Sequence, residues 1–332
     1  MSSESKAGAD IDPDIRRFVA ETSAAYAAGG VFAELSFPQQ RQLAETVRAP
    51  WRAGGPVMAR TVERLVPTPH GPVRVRIYDP SGRNKQPALI YVHGGGWTLF
   101  SLDTHDRVMR EYAAAAEVVV VGVDYALSPE ARFPVALEQV TAVVRWLTET
   151  GAEQGIDPKR LAIGGDSAGA ALSLGAALKL RDEGRGELLR GLLLIYGAFD
   201  NRWSAEAADR YGGPAYMLSA AELGAFWRNY LGSPEDADNP LARLMIADLH
   251  GLPPVALTVP ECDILAEQSL ALAERLRDAQ VSVRLDVYPG ATHSFLEAVS
   301  IAPIAARAIA DGAAWLSQQL AEAPVLAPSD RA

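Results

Sequence analysis

The sequence is short of three features, and each absence excludes a class of protein. Cys262 is the only cysteine among the 332 residues, so neither an intrachain disulfide nor a cysteine-based zinc site can form. No apolar run reaches the roughly 18 residues that a membrane-spanning helix needs, and the N-terminal segment lacks the apolar core of a signal peptide. We therefore expect a cytoplasmic protein with no stable membrane insertion.

Basic residues are outnumbered by acidic ones. The chain has 31 Lys and Arg residues against 41 Asp and Glu residues, which gives a formal net charge of −10 at pH 7. A surface with this charge repels polyanions such as nucleic acid. We therefore expect no nucleic-acid partner.

Short apolar runs alternate with helical stretches along most of the chain. Six such runs follow a predicted antiparallel hairpin at 62–66 and 73–77. Near-continuous apolar strands between helices are typical of a mostly parallel sheet that helices cover on both faces. We therefore predict an α/β fold with an eight-stranded sheet. The six runs are 88–92, 118–123, 161–164, 192–196, 255–259 and 283–287.

Two segments fall outside this alternation. In the first, which covers about the first fifty residues, Asp12 and Pro13 are typical of a helix start, and apolar residues recur at helical spacing from Ile15 onwards. The second, 203–250, is rich in glycine, proline and aromatic residues and lies between two predicted strands. We expect it to be an insertion that lies over the strand ends.

The run Gly165-Asp166-Ser167-Ala168-Gly169 has the pattern of a nucleophile elbow, in which a serine sits on a tight turn from a strand to a helix. Glycines flank the serine because the turn leaves little room for side chains. An apolar run precedes the motif and a helix of small residues follows it, whereas a chance glycine-rich turn needs neither. We predict that Ser167 is the nucleophile of a serine hydrolase, with Asp166 forming supporting hydrogen bonds.

Three glycines follow a predicted strand in His93-Gly94-Gly95-Gly96-Trp97. Such a loop can turn backbone N–H groups towards an oxyanion, and a loop at the C-terminal end of a parallel strand faces the ligand site. The alternative for the motif alone is a flexible turn. We expect Gly94, Gly95 and Gly96 to contribute to an oxyanion hole, and His93 to anchor the loop.

A serine at neutral pH needs a general base, and that base needs an acid to orient it. In this arrangement the acid and then the base follow the serine along the chain, which leaves His250 and His293 as candidate bases. We favour His293, because it follows a predicted strand whereas His250 precedes one. The predicted acid is Asp263, and its rivals near the same sheet edge are Asp200 and Glu261.

Together these motifs resemble those of the hormone-sensitive-lipase-like bacterial esterases, in the subgroup with a GDSAG elbow. The resemblance covers roughly residues 60–320. It implies an α/β-hydrolase fold, a triad of Ser167, Asp263 and His293, and an oxyanion hole formed chiefly by Gly95 and Gly96 with Ala168. The motifs that carry it lie at 93–97, 124–130 with 133–134, 165–169, 251–254, and 261–263 with His293.

The resemblance also implies a domain organisation with a helical cap. It divides the chain into N-terminal cap helices at 1–55, a catalytic domain at 56–202 and 251–325, a cap insertion at 203–250 and a tail at 326–332. The cap is expected to supply apolar walls for a substrate pocket. The candidate pocket residues are Trp97, Phe32, Phe37, Trp51, Tyr211, Tyr216, Met217, Phe226 and Trp227.

The activity implied is that of a carboxylesterase for short or medium acyl chains. Its partner would be a small-molecule ester, no metal or organic cofactor is expected, and the resemblance is compatible with a homodimer. An amidase, a peptidase or a lactonase on the same triad fits the sequence as well. A non-catalytic ligand-binding relative would normally have lost a triad residue, and this chain retains all three.

Overall fold

The computed structural model describes residues 11–321. The predicted tail at 326–332, and the outer ends of the predicted segments 1–55 and 251–325, lie outside the described residues. The strands are β1 (Arg60–Val66), β2 (Val73–Asp79), β3 (Gln86–Val92), β4 (Val119–Asp124), β5 (Ile156–Asp166), β6 (Leu192–Ile195), β7 (Val255–Cys262) and β8 (Val283–Thr292). The helices are α1 (Pro13–Ala28), α2 (Phe37–Arg48), α3 (Asp106–Ala116), α4 (Val135–Thr150), α5 (Ala168–Asp182), α6 (Ala205–Tyr211), α7 (Ala220–Tyr230), α8 (Ala266–Asp278) and α9 (Pro303–Gln319).

The strands form one eight-stranded sheet in the order β1-β2-β4-β3-β5-β6-β7-β8. Strand β2 is antiparallel to both β1 and β4, and the other pairs are parallel. Successive side chains of a strand point to opposite faces. On β3, Ile90 accordingly packs in a core with residues of α4 and α5, while Leu89 packs in a second core with residues of α3 and α9. The predicted mostly parallel sheet with helices on both faces is confirmed.

Strands β5, β7 and β8 extend beyond the predicted runs by three residues or more. Strand β5 begins at Ile156, which pairs with Gln86 at the start of β3, and a register shift over residues 157–160 separates this pair from Leu161 with Ala88. Strands β7 and β8 continue past a bulge, so that Cys262 pairs with Thr292. The next residues in the two strands, Asp263 and His293, therefore emerge side by side.

The N-terminal helix α1 begins as predicted. The Asp12 carboxylate accepts hydrogen bonds from the N–H groups of Asp14 and Ile15 at 2.9 and 3.2 Å, which caps α1. The inner face of α1 includes Ile15 and Phe18, both fully buried, and the Phe18 ring lies edge-on to the Trp51 ring at 4.7 Å. Helix α1 is thus fixed to the body of the protein by an apolar face. No helix within the described residues is both long and apolar enough to cross a membrane.

Candidate active site

Ser167 lies on a strained turn between β5 and α5. Its φ of +54° and ψ of −120° lie in a region that residues with side chains rarely adopt. A Cβ atom added at Gly165 or Gly169 would lie 2.0 or 1.9 Å from the carbonyl oxygen of Val92 at the end of β3. The flanking residues must be glycine because the turn packs directly against β3, and the strain holds the serine hydroxyl at the end of the sheet.

A line of hydrogen-bonding groups connects three residues from three strand ends. His293 Nε2 lies 3.0 Å from Ser167 Oγ, and His293 Nδ1 lies 2.7 Å from Asp263 Oδ2. The second carboxylate oxygen, Oδ1, accepts the N–H of Leu265 at 2.9 Å. All three side chains are buried. This geometry suits transfer of the serine proton to a histidine that a carboxylate orients.

The rival candidates lie in other environments. His250 is exposed, and its Nδ1 lies 2.6 Å from Asp248 Oδ1. The Asp200 carboxylate accepts a hydrogen bond from Arg243 at 2.9 Å, and Glu261 is an exposed residue that accepts the N–H of Gly290 at 3.2 Å. Within the described residues, none of the three forms a hydrogen bond or an ion pair with Ser167 or His293, whereas the favoured set is joined by hydrogen-bonding distances.

The loop after β3, residues 93–101, is called the oxyanion loop below. Gly95 and Gly96 have positive φ angles of +106° and +58°, and both line a cavity with Ser167 and His293. Ala168 is the first residue of α5, so its N–H has no acceptor within the helix. Gly94 differs from the expectation, because its N–H donates to Asp166 Oδ1 at 3.1 Å and is therefore not free for an oxyanion.

A buried ion pair, His105 with Asp166, supports the oxyanion loop. Asp166 accepts hydrogen bonds from the Tyr91 hydroxyl at 2.9 Å and from the Gly94 N–H, and His105 Nε2 lies 3.3 Å from its Oδ2. Burial opposes both charges, but the proximity of each to the other raises the pKa of His105 and lowers the pKa of Asp166. Burial and the charge of His105 lower the pKa of the neighbouring His93 to about 4. His93 is therefore a neutral residue that anchors the loop through Nδ1, 2.8 Å from the Gly94 carbonyl oxygen.

A cavity of about 600 Å³ opens onto Ser167 and His293. Its walls come from the oxyanion loop and from both segments outside the sheet pattern, namely α1 to α2 and the region around α7. Phe226 of α7 lies against the oxyanion loop, since a Cβ added at Gly96 would be 2.2 Å from its ring. Aromatic and aliphatic side chains predominate, and the residues from outside the sheet include Tyr26, Phe32, Ala33, Phe37, Pro214, Met217, Leu218, Leu223 and Phe226.

Residues 89–297 match the family described as the alpha/beta hydrolase fold. The chain belongs to this family. An esterase of Pyrobaculum calidifontis is 31% identical over 94% of this chain and 100% of its own, with a TM-score of 0.86. A thermostable carboxylesterase cloned from a metagenomic library is 29% identical over 87% and 99%, with a TM-score of 0.84. A thermostable esterase of Pseudomonas putida is 26% identical over 96% and 100%, with a TM-score of 0.89.

These matches confirm the predicted α/β-hydrolase fold and the resemblance to hormone-sensitive-lipase-like esterases. Membership of the subgroup with a GDSAG elbow stays a prediction.

Five of the pocket candidates of this alpha/beta hydrolase line the cavity and four do not. Trp97, Phe32, Phe37, Met217 and Phe226 line it. Trp51 packs against Phe18. Tyr211 and Tyr216 pack against each other at 5.2 Å, and Trp227 lies 4.6 Å from Trp97 in the core. Adjacent helical residues point in different directions, so Phe226 reaches the cavity while Trp227 faces inward.

The sequence analysis of this alpha/beta hydrolase did not predict the buried charged pair Arg48–Glu297. Arg48 lines the cavity and is 2% exposed, and its guanidinium lies 3.0 Å from the buried Glu297 carboxylate. His105 beneath the oxyanion loop was missed as well. Long-range pairing of this kind has no local signature.

The His105–Asp166 pair predicts a pH dependence of stability. The pKa of His105 is raised above its ordinary 6.5, so its contribution is fully present below about pH 6.5 and is lost as pH rises through the raised value. The pKa of Asp166 is lowered, so its contribution is lost only on acidification below about pH 4. We expect the His105→Gln variant to lose about 3 kcal/mol of unfolding free energy at pH 6, and less at pH 9. Urea unfolding at several pH values measures this, and an equal loss at both pH values would contradict it.

Proposed function

We propose that this alpha/beta hydrolase is a carboxylesterase in which Ser167 is the nucleophile, His293 the general base and Asp263 the orienting acid. One observation carries the assignment: Asp263, His293 and Ser167 form a continuous line of contacts at 2.7 and 3.0 Å at the end of the sheet. The similarity to several solved esterases supports the ester as the substrate class.

The proposed reaction has two halves. Ser167 Oγ attacks the ester carbonyl while His293 Nε2 takes its proton, and the N–H groups of Gly95, Gly96 and Ala168 stabilise the oxyanion. The C–O bond breaks and His293 returns the proton to the leaving alcohol, which leaves an acyl-enzyme. Water, deprotonated by His293, then attacks the acyl carbon. The bond between that carbon and Ser167 Oγ breaks, His293 returns the proton to Oγ, and the acid is released. Side chains and backbone of this chain suffice for each step.

The cavity supports esters with short or medium acyl chains. Its volume of about 600 Å³ falls within the range of small-molecule sites. Phe226 lies directly against Gly96. A bulky substituent beside the reacting carbonyl of the substrate would therefore contact the Phe226 ring. We therefore expect a long acyl chain to fit less well than a short one.

A paired substrate panel tests this function. p-Nitrophenyl esters of increasing acyl length and the matched p-nitroanilides are assayed side by side, and mass spectrometry locates a fluorophosphonate label. We expect ester turnover to exceed amide turnover, rates to fall for the longest chains, and one label on Ser167. Faster amide hydrolysis would indicate an amidase or peptidase, and faster hydrolysis of a lactone assayed beside the panel would indicate a lactonase. Absence of labelling would favour a non-catalytic ligand-binding protein.

Two broader expectations belong to the same proposal. We propose a cytoplasmic location and a homodimer, and the second of these is checked by light scattering of the purified protein. The helices α1–α2 and α6–α7 would form the cap, since the cavity lies between these segments and the strand ends.

A further inference from the structure

One face of helix α2 carries three charged residues. Arg41, Glu45 and Arg48 occupy positions i, i+4 and i+7, so their side chains lie in a row along the helix. A charged row on a cap helix would ordinarily face solvent. Here all three side chains reach the loops that surround Ser167.

The first two residues hold the oxyanion loop. Arg41 Nε donates to the carbonyl oxygen of Thr98 at 2.9 Å, and its guanidinium also pairs with Glu130 at 2.6 Å. The Ser101 hydroxyl donates to Glu45 Oε1 at 2.6 Å. Thr98 and Ser101 follow the glycines that would bind the oxyanion, so α2 is attached directly to that loop.

The third residue reaches the loop that contains His293. Residues 293–300, called the base loop below, include Glu297, whose Oε2 lies 3.0 Å from Arg48 Nη1. Both side chains are 3% exposed. The Arg48 guanidinium also lies over the ring of Phe100, 5.0 Å from its centroid. Because Phe100 belongs to the oxyanion loop, Arg48 contacts both loops.

The base loop packs into the core through Phe295, Leu296 and Ala298, which are fully buried, but it has little regular secondary structure. It follows β8, an edge strand that pairs only with β7 in the described sheet. Its backbone passes through Ser294 at a φ of +60° and continues as the short 3₁₀ turn Phe295–Ser300, a weakly bonded form of helix. The ion pair between Arg48 of α2 and Glu297 would therefore further restrict the position of His293.

Stability alone does not explain a buried ion pair at this place. Taking two charges out of water costs about as much as their attraction returns, and packed apolar side chains are often as stable or more so. An ion pair differs from an apolar contact in what happens when it opens: Arg48 Nη1 lies 3.0 Å from Glu297 Oε2 without a hydrogen bond between them, and separating the two would leave two uncompensated buried charges. The pair therefore favours a single arrangement of the two elements that it joins.

We propose that Arg48 and Glu297 are positioning residues through which helix α2 holds the base loop against the oxyanion loop. The pair would keep His293 Nε2 in reach of Ser167 Oγ while the ester carbonyl lies on Gly95 and Gly96. The inference rests on the proposed esterase function. It makes helix α2 a part of the reaction geometry as well as a wall of the cavity.

Kinetics of two variants test the pair. Glu297→Gln removes one charge, and the double variant Arg48→Met with Glu297→Met replaces the pair by apolar side chains that are expected to keep the fold stable. Both should lower kcat by about 10- to 100-fold, the effect of a displacement of about 1 Å, with a much smaller change in KM. The matched control is Arg17→Met, which removes the exposed Arg17–Glu21 pair of α1 and should stay within about twofold of wild type.

The pH profile separates positioning from a purely structural role. The charged or titratable groups that act on Glu297 and Arg48 are His293, His105, Asp166, Tyr26 and Tyr196. Glu297→Gln removes a negative charge near His293, so the acid limb of kcat/KM should move down by about half a pH unit. The double variant removes one positive and one negative charge. The acid limb of its kcat/KM profile should therefore lie close to that of wild type, while its kcat stays low.

The outcomes are distinct. A double variant with wild-type melting temperature and wild-type kcat would overturn the positioning role, as would an unmoved acid limb in Glu297→Gln. Loss of the proposed function itself would be visible in the wild-type chain, as the absence of hydrolysis that depends on Ser167.

Discussion

Replacing Ser167 by alanine should lower the turnover of a short p-nitrophenyl ester by about a millionfold, as removal of a triad nucleophile does elsewhere. The substitution removes the oxygen that would form the acyl-enzyme and leaves His293 without the group it contacts at 3.0 Å. Any residual rate would come from binding and the oxyanion loop acting on water. Steady-state assays with active-site titration measure the loss and exclude contamination by wild-type enzyme.

Ser23→Ala is the matched control for this variant. Ser23 lies on α1 at the wall of the same cavity but outside the triad, so its turnover should stay within about threefold of wild type. Unchanged melting temperatures would show that both variants fold. A Ser167→Ala rate within about tenfold of wild type would contradict the mechanism.

Asp263→Asn should lower kcat by about ten-thousandfold while substrate binding changes little. The carboxylate lies 2.7 Å from His293 Nδ1 and fixes which ring nitrogen faces Ser167. An amide of the same shape can keep the geometry yet favour the wrong tautomer, and it cannot stabilise the imidazolium. Measurement of kcat and KM across pH 5 to 10 would show the loss.

Asp200→Asn provides the control for the acid. Asp200 follows the neighbouring strand β6 and pairs with Arg243 at 2.9 Å, so the variant removes a carboxylate from the same sheet edge without touching the histidine. We expect its kcat to remain within about threefold of wild type. Equal losses in the two variants would place the orienting acid elsewhere.

The fold could be predicted from the sequence because its signals are local. Apolar runs between helices are visible without any partner, and the hairpin before β3 alternates clearly. The residues at which a strand begins and ends, however, depend on the neighbouring strands with which it pairs. The start of β5 is joined to the sheet by the single pair of Ile156 with Gln86, and β7 and β8 continue to pair past a bulge. The predicted runs at 161–164, 255–259 and 283–287 therefore stopped short.

The residues of the site likewise divide into those with a local sequence signal and those without one. Ser167 and the glycine loop carry motifs, and chain order with strand ends led to Asp263 and His293. The use of the Gly94 N–H by Asp166 could not be foreseen, because that bond joins two strand ends. Arg48 and Glu297 were missed for a related reason. A charged side chain is buried only where a distant partner compensates it, and the two residues are far apart in the chain.

The register of β7 and β8 sets a rule for exchanging loops between related enzymes. Asp263 and His293 each follow directly on the last ladder pair, Cys262 with Thr292. Side chains alternate between sheet faces, so a single residue inserted before either position would turn that side chain towards the opposite core. Insertions after either residue leave this alternation intact. Chimeric loops should therefore be joined after Asp263 and after His293.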